Sequence, residues 1–108
     1  MKCIFCGGES RERSIFDPCD LCRDMLGQGR IILIAVEEEE HIRPLGMAIE
    51  SRNEKLLDGV KIYDTVAYPP IRGIKSAAGF GLIPVEQAEE IINRGWAIVT
   101  KEEVEQLR

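Results

Sequence analysis

Four cysteines are the residues of this chain best suited to chemistry, and they follow the pattern Cys3-x2-Cys6-x12-Cys19-x2-Cys22. Two CxxC pairs close to an S4 site suit zinc, which favours four thiolates at about 2.3 Å in closed, tetrahedral structural sites. "CIFCGG" (residues 3–8) reads as a zinc knuckle, with Gly7 and Gly8 letting the backbone fold back beneath a metal. "DPCDLC" reads as a helix start, with Asp17 as N-cap and Pro18 in the first turn. Cys19 and Cys22 then share one helical face at the positive end of the helix, where thiolate is favoured. Knuckle, hairpin and helix in that order make a treble-clef plan. Such a zinc is structural, because four cysteines leave no position open for water, and it replaces the core that so short a unit cannot build.

Three other readings use the same residues. A disulfide framework requires an oxidising compartment. A thioredoxin-like redox centre would use "CDLC", but no strand leads into it and Cys3 and Cys6 would be left without a role. An iron–sulfur cluster has the same ligand count. The closed pairing suits zinc better than an iron–sulfur cluster.

The remaining candidates carry less chemistry. His41, the single histidine, sits in "EEEEHIRP" with no nucleophile motif beside it and reads as an exposed turn residue. The four glutamates at 37–40 read as a solvated loop, although they could face a basic partner. Gly79-x-Gly81, with Lys75 and Ser76 upstream, lacks the phosphate-loop spacing and reads as a flexible turn. Trp96 is expected in the core rather than at an interface. Tyr63, Tyr68 and Phe80 are too scattered to stack nucleobases.

The elements that must hold these residues come from 108 positions, 44% hydrophobic, with a formal net charge of −5. That length fits a single domain over 1–108, with 1–29 as the zinc-binding unit and 30–108 as an α+β scaffold. The acidic balance disfavours generic nucleic-acid binding, whose affinity comes from neutralising phosphates. The longest apolar run, "IILIAV" at 31–36, is far too short to span a bilayer. "MKCIFC" has no signal-peptide hydrophobic region, so the expected location is the cytoplasm.

"RERSIF" (11–16) reads as a short strand, 18–26 as a helix stopped by Gly27 with Gly29 behind it, and 30–36 as a buried strand. A helix is expected over 48–57, a strand over 60–68 and a loop over 69–81. In "PVEQAEEIINR", Val85, Ala88, Ile91 and Ile92 recur on one helical face, and Gly95 ends that helix. "WAIV" (96–99) is a strand that should pair with, or pack beside, 30–36. Thr100 and Glu103 form a capping box, with Val104 and Leu107 covering the sheet. The expected fold is α+β: a treble-clef-like zinc site continuous with a small mixed sheet packed by two C-terminal helices. The middle segment, 37–83, should project from it.

"CIFCGG", "DPCDLCRDMLGQGRIILIAV" and "RGWAIVTKEEVEQL" together resemble a family of small uncharacterised zinc-knuckle proteins encoded by bacteriophages. The resemblance covers about the first 36 and the last 15 residues. It implies a phage origin and a host cytoplasm, and brings no activity with it. The function expected is therefore non-enzymatic: a zinc-stabilised, phage-type accessory protein that binds a host or phage protein. Two alternatives stand beside it. One is a nucleic-acid-binding zinc protein using "RERS" (11–14), Arg23 and Arg30; the other is a thiol redox protein.

Overall fold

The structure is a computed structural model that describes residues 1–69, 74, 75, 78, 79, 81 and 83–107. The architecture is α+β, built on a three-stranded mixed sheet. Its centre is β1 (Ile31–Val36), six consecutive apolar residues buried on both faces. A continuous run of this kind, with no alternation, is what a strand covered on both sides requires. β2 (Ile62–Tyr68) pairs with it antiparallel, and β3 (Trp96–Thr100) pairs parallel on the other side, giving the order β2-β1-β3. The expected association of the two distant strands is thus a direct ladder, with Ile32 opposite Trp96 and Val36 opposite Thr100.

The alternation of β1 divides the core. Ile32, Ile34 and Val36 face the cysteine unit and helix α2 (Ile42–Ser51), meeting Phe5, Phe16, Leu45 and Ala48. Ile31, Leu33 and Ala35 face the opposite layer, which includes Ile91 of α3 (Ala88–Arg94) and Val104 of α4 (Lys101–Gln106). Leu107 packs on the same layer, so the C-terminal helices cover one face as expected. Thr100 caps α4: its Oγ1 accepts from the Glu103 N–H at 3.3 Å. Gly95 ends α3 with φ +87°, a conformation that favours glycine.

Several expectations are corrected. The first helix, α1, runs Asp20–Gly27, with Cys19 rather than Asp17 as N-cap. Asp17 instead binds the Arg52 guanidinium at 2.8 Å. The stop comes from Gly29, at φ +78°. Its N–H bonds to Leu26 O and the Arg30 N–H to Met25 O, the paired bonds of a Schellman motif. No strand forms over 11–16.

The middle segment does not simply project. β2 completes the sheet, and α2 buries Leu45, Ala48 and Ile49. α2 also starts earlier than the expected 48–57. Pro44 lies in its first turn, where a missing N–H removes no intrahelical bond. Arg52, at φ +55°, ends it, and a 3-10 turn (Glu54–Leu57) follows. Val85 and Ile92 are exposed, not core: 85–87 is a 3-10 turn, so the helical phase starts only at Ala88 and turns Ile91 inward.

Part of the loop expected over 69–81 lies outside the described residues. Within it, Ile74, Lys75, Ala78 and Gly79 have helical backbone, and Ile74 is buried. No helix among the described residues is long and apolar enough to cross a membrane.

Candidate metal centre

The knuckle folds as its glycines require. Gly7 adopts φ +73° and donates to Cys3 O at 2.8 Å, while the Cys3 N–H donates to Gly8 O at 2.8 Å. The Gly8 N–H points at Cys6 Sγ, 3.4 Å away. A lone bridge between Lys2 and Glu9 closes the base of the loop. The chain then returns through two serine turns, in which Ser10 Oγ accepts from Glu12 N–H and Ser14 Oγ from Phe16 N–H. The Ile4 N–H bonds to Ile15 O at 3.2 Å and ties this return to the knuckle. Phe16 is buried and anchors the approach to α1.

These local choices bring all four thiols together. Cys3 and Cys22 lie Sγ to Sγ at 3.8 Å, Cys6 and Cys19 at 3.6 Å, and Cys19 and Cys22 at 3.6 Å. All four Sγ atoms fall within 4.8 Å of one another, and none forms a disulfide. A tetrahedron with metal–sulfur bonds of about 2.3 Å has sulfur–sulfur edges of about 3.8 Å. The cluster therefore has the size of a four-thiolate cage and could hold a metal ion. Among the described residues it is the one group of three or more metal-ligating side chains so arranged.

The cage is sheltered unevenly. Cys3, Cys19 and Cys22 are buried, and Cys6 is half-buried at the rim. Burial pushes the Cys22 and Cys6 thiols up from their ordinary range, with the Gly8 N–H opposing the rise at Cys6. Burial acts the same way on Cys19, but the Cys22 backbone N–H and neighbouring thiols overcome it and hold Cys19 down. A cation placed among the four would stabilise the thiolate form of all of them.

The other candidates scatter. His41 is half-buried at the end of a 3-10 turn, Glu39–His41, where its Nδ1 accepts from the Lys61 N–H at 3.3 Å. It ties the acidic turn to the approach to β2 and lies outside the cysteine cluster. Glu39, Glu102 and Glu103 come close enough for the first two, with burial as the larger cause, to raise the Glu103 carboxyl. Arg23 pairs with Glu12 at 2.8 Å and with Asp20 at 3.7 Å. The Tyr63 hydroxyl bonds to Glu105 and the Tyr68 hydroxyl to Leu107 O. Ser76 and Phe80 lie outside the described residues, so the glycine turn around Gly79 and Gly81 is described only in part.

Trp96 is half-buried: its ring meets Phe5 at 6.4 Å on the core side, and the Arg94 guanidinium lies 4.3 Å over it. A groove of about 440 Å³ was not anticipated. It runs between Cys3 and Cys6 on one side and Leu57, Val60 and Ile62 on the other. No sequence signal marks it, since it arises only when the 3-10 turn and β2 fold back beside the knuckle. Compared with protein families, with curated proteins and with solved structures, the chain finds no match.

Proposed function

We propose that this chain is a zinc-stabilised, non-enzymatic accessory protein that acts by binding another protein. The observation that carries the reading is the cage of four Sγ atoms, with 3.6–3.8 Å along the edges named above. Zinc in such a cage is coordinatively saturated, so its contribution is to fold rather than to reaction. It would fasten the knuckle to α1, and both to β1 through Phe5 and Phe16. We read the arrangement as treble-clef-like. The knuckle supplies Cys3 and Cys6, the helix start supplies Cys19 and Cys22, and serine turns stand where a hairpin would be.

The phage-type origin and cytoplasmic setting rest on the resemblance of the cysteine unit and the closing "GWAIVTKEEV". A protein partner is favoured over nucleic acid by the net charge of −5 and by the engagement of Arg23 with two carboxylates. Elemental analysis of protein purified without chelator tests the zinc: one equivalent per chain is expected. Less than about half an equivalent, with iron absent, overturns the reading. A dissociation constant below about 1 μM for arbitrary duplex DNA at physiological salt would overturn the choice of partner.

A further inference from the structure

β3 closes one side of the sheet, and no described strand pairs with its outer edge. The Ile32 N–H donates to Gly95 O at 2.8 Å, and the parallel register then turns the backbone groups of Ala97 and Val99 toward β1. Those of Trp96, Ile98 and Thr100 turn outward. A groove of about 290 Å³ runs along this edge, lined by the rim of α2 together with Gln87 and Arg94. The edge of β2 differs, because there the Asp64 carboxylate takes the Thr65 N–H at 2.8 Å. At β3 the corresponding guard is Arg94 Nε on Trp96 O, at 2.8 Å, which leaves that carbonyl a second lone pair. Among the described residues, no side chain guards the backbone of Ile98 at the centre of the strand.

The rim of α2 is self-complementary. Arg43, Met47 and Glu50 stand at i, i+4 and i+7, away from the buried Leu45, Ala48 and Ile49. Met47, 49% exposed, lies between the two charges and gives the rim an apolar centre. A two-fold axis perpendicular to the sheet would run α2 antiparallel to its copy and set Arg43 of each against Glu50 of the other. Met47 would lie at the crossing. The midpoint of that stripe is Gly46, whose β-carbon position lies 3.5 Å from Ile98 Cδ1. The centre of the helix rim and the centre of β3 are therefore level. One axis satisfies both: Ile98 pairs with Ile98 of the copy, Trp96 with Thr100, and Arg43 with Glu50.

The geometry points to a homodimer formed through the β3 edge, with a continuous six-stranded sheet and α2 packed on its own copy. A closed two-fold contact of this kind uses up the exposed edge and does not propagate. The occupant is a second copy rather than an unrelated strand, because the rim of α2 carries Arg43 and Glu50 in the order that an antiparallel copy matches, while Arg94, the third charge in the groove, already pairs with Glu90 of its own chain.

Light scattering coupled to gel filtration tests the dimer on the full, metal-loaded chain. A mass of twice 12.1 kDa is expected. Arg43→Glu and Glu50→Arg should each weaken dimerisation by at least about tenfold, and the double exchange should restore it, because the stripe then matches itself again. Unchanged circular dichroism and zinc content would show that each variant is folded. Exchange of the Ile98 amide should slow as protein concentration rises. A monomer at every concentration overturns the proposal. So does a dimer indifferent to the single variants, a double exchange that fails to restore it, or an Ile98 amide protected only when a different protein is added.

Discussion

Leu26 in α1 and Gly95 before β3 stand against each other so closely that a β-carbon built on Gly95 would lie 2.5 Å from Leu26 Cδ2. A methyl group at Gly95 would push the end of the Leu26 side chain aside, where the cysteine-bearing end of the chain meets its last strand. Gly95 also adopts φ +87°, so alanine would be strained there even in open space. Gly95→Ala should cost about 1–3 kcal/mol, mainly the backbone term, with a smaller steric part because the Leu26 side chain can turn away. Leu26→Ala in the same chain should recover the steric part alone. Urea unfolding of the two single variants and the double variant checks this. Strictly additive losses would show that Leu26 and Gly95 do not press on each other.

Thr100 offers a cleaner measurement, since its side chain makes a single cap bond to the Glu103 N–H. Thr100→Ala should lower stability by about 1 kcal/mol, and Thr100→Ser should restore most of it. A loss unchanged by serine would assign the role of Thr100 to its methyl group instead.

What the sequence made legible follows from how local each signal is. The cysteine spacing and the knuckle glycines act within a few residues, and they placed all four thiols. The run 31–36 is apolar at every position, which only a strand covered on both faces tolerates, and its pairing with 96–99 follows from the need to bury both. The start of α2 was hidden because "EEEEHIRP" is polar and carries a proline; only the burial of Leu45 against β1 shows why it coils there. The N-cap was misplaced by two residues because Asp17 is a good capping residue. A long-range partner, Arg52, holds its carboxylate instead. Val85 and Ile92 fit a helical period on paper, but the 3-10 turn that precedes α3 shifts the phase.

Trp96 is the only tryptophan, so its fluorescence reports on one place. Its ring is packed on Phe5, which lies between Cys3 and Cys6 in the knuckle. If the cage holds zinc as proposed, stripping it with a chelator should loosen Phe5, expose the indole and shift emission to the red, and returning zinc should reverse the shift. An emission spectrum indifferent to chelator would separate the knuckle from β3. Because the ring is half-buried, Trp96→Ala should cost about 2 kcal/mol in thermal or urea unfolding, less than the 3–5 kcal/mol of a fully buried tryptophan.

In the zinc-bound form proposed above, acid should release the metal, because protons compete with it for the thiolates. Coordinated thiolates titrate far below the value of about 8.5 that cysteine has in the unfolded chain. A group whose pKa is lowered in the folded state stabilises above its unfolded value, and that contribution disappears as pH falls through the folded value. Unfolded chains bind more protons than the metal-loaded form across that interval, so stability should fall steadily as pH drops below about 8.5. Melting temperature measured at fixed zinc from alkaline to mildly acidic pH should decline with zinc release, detected by a chromogenic chelator. In Cys22→Ser the zinc should be lost already at neutral pH, because a buried hydroxyl replaces one thiolate of the cage. A melting temperature that stays flat while zinc departs would mean that the cage is not what holds residues 1–29 to the sheet.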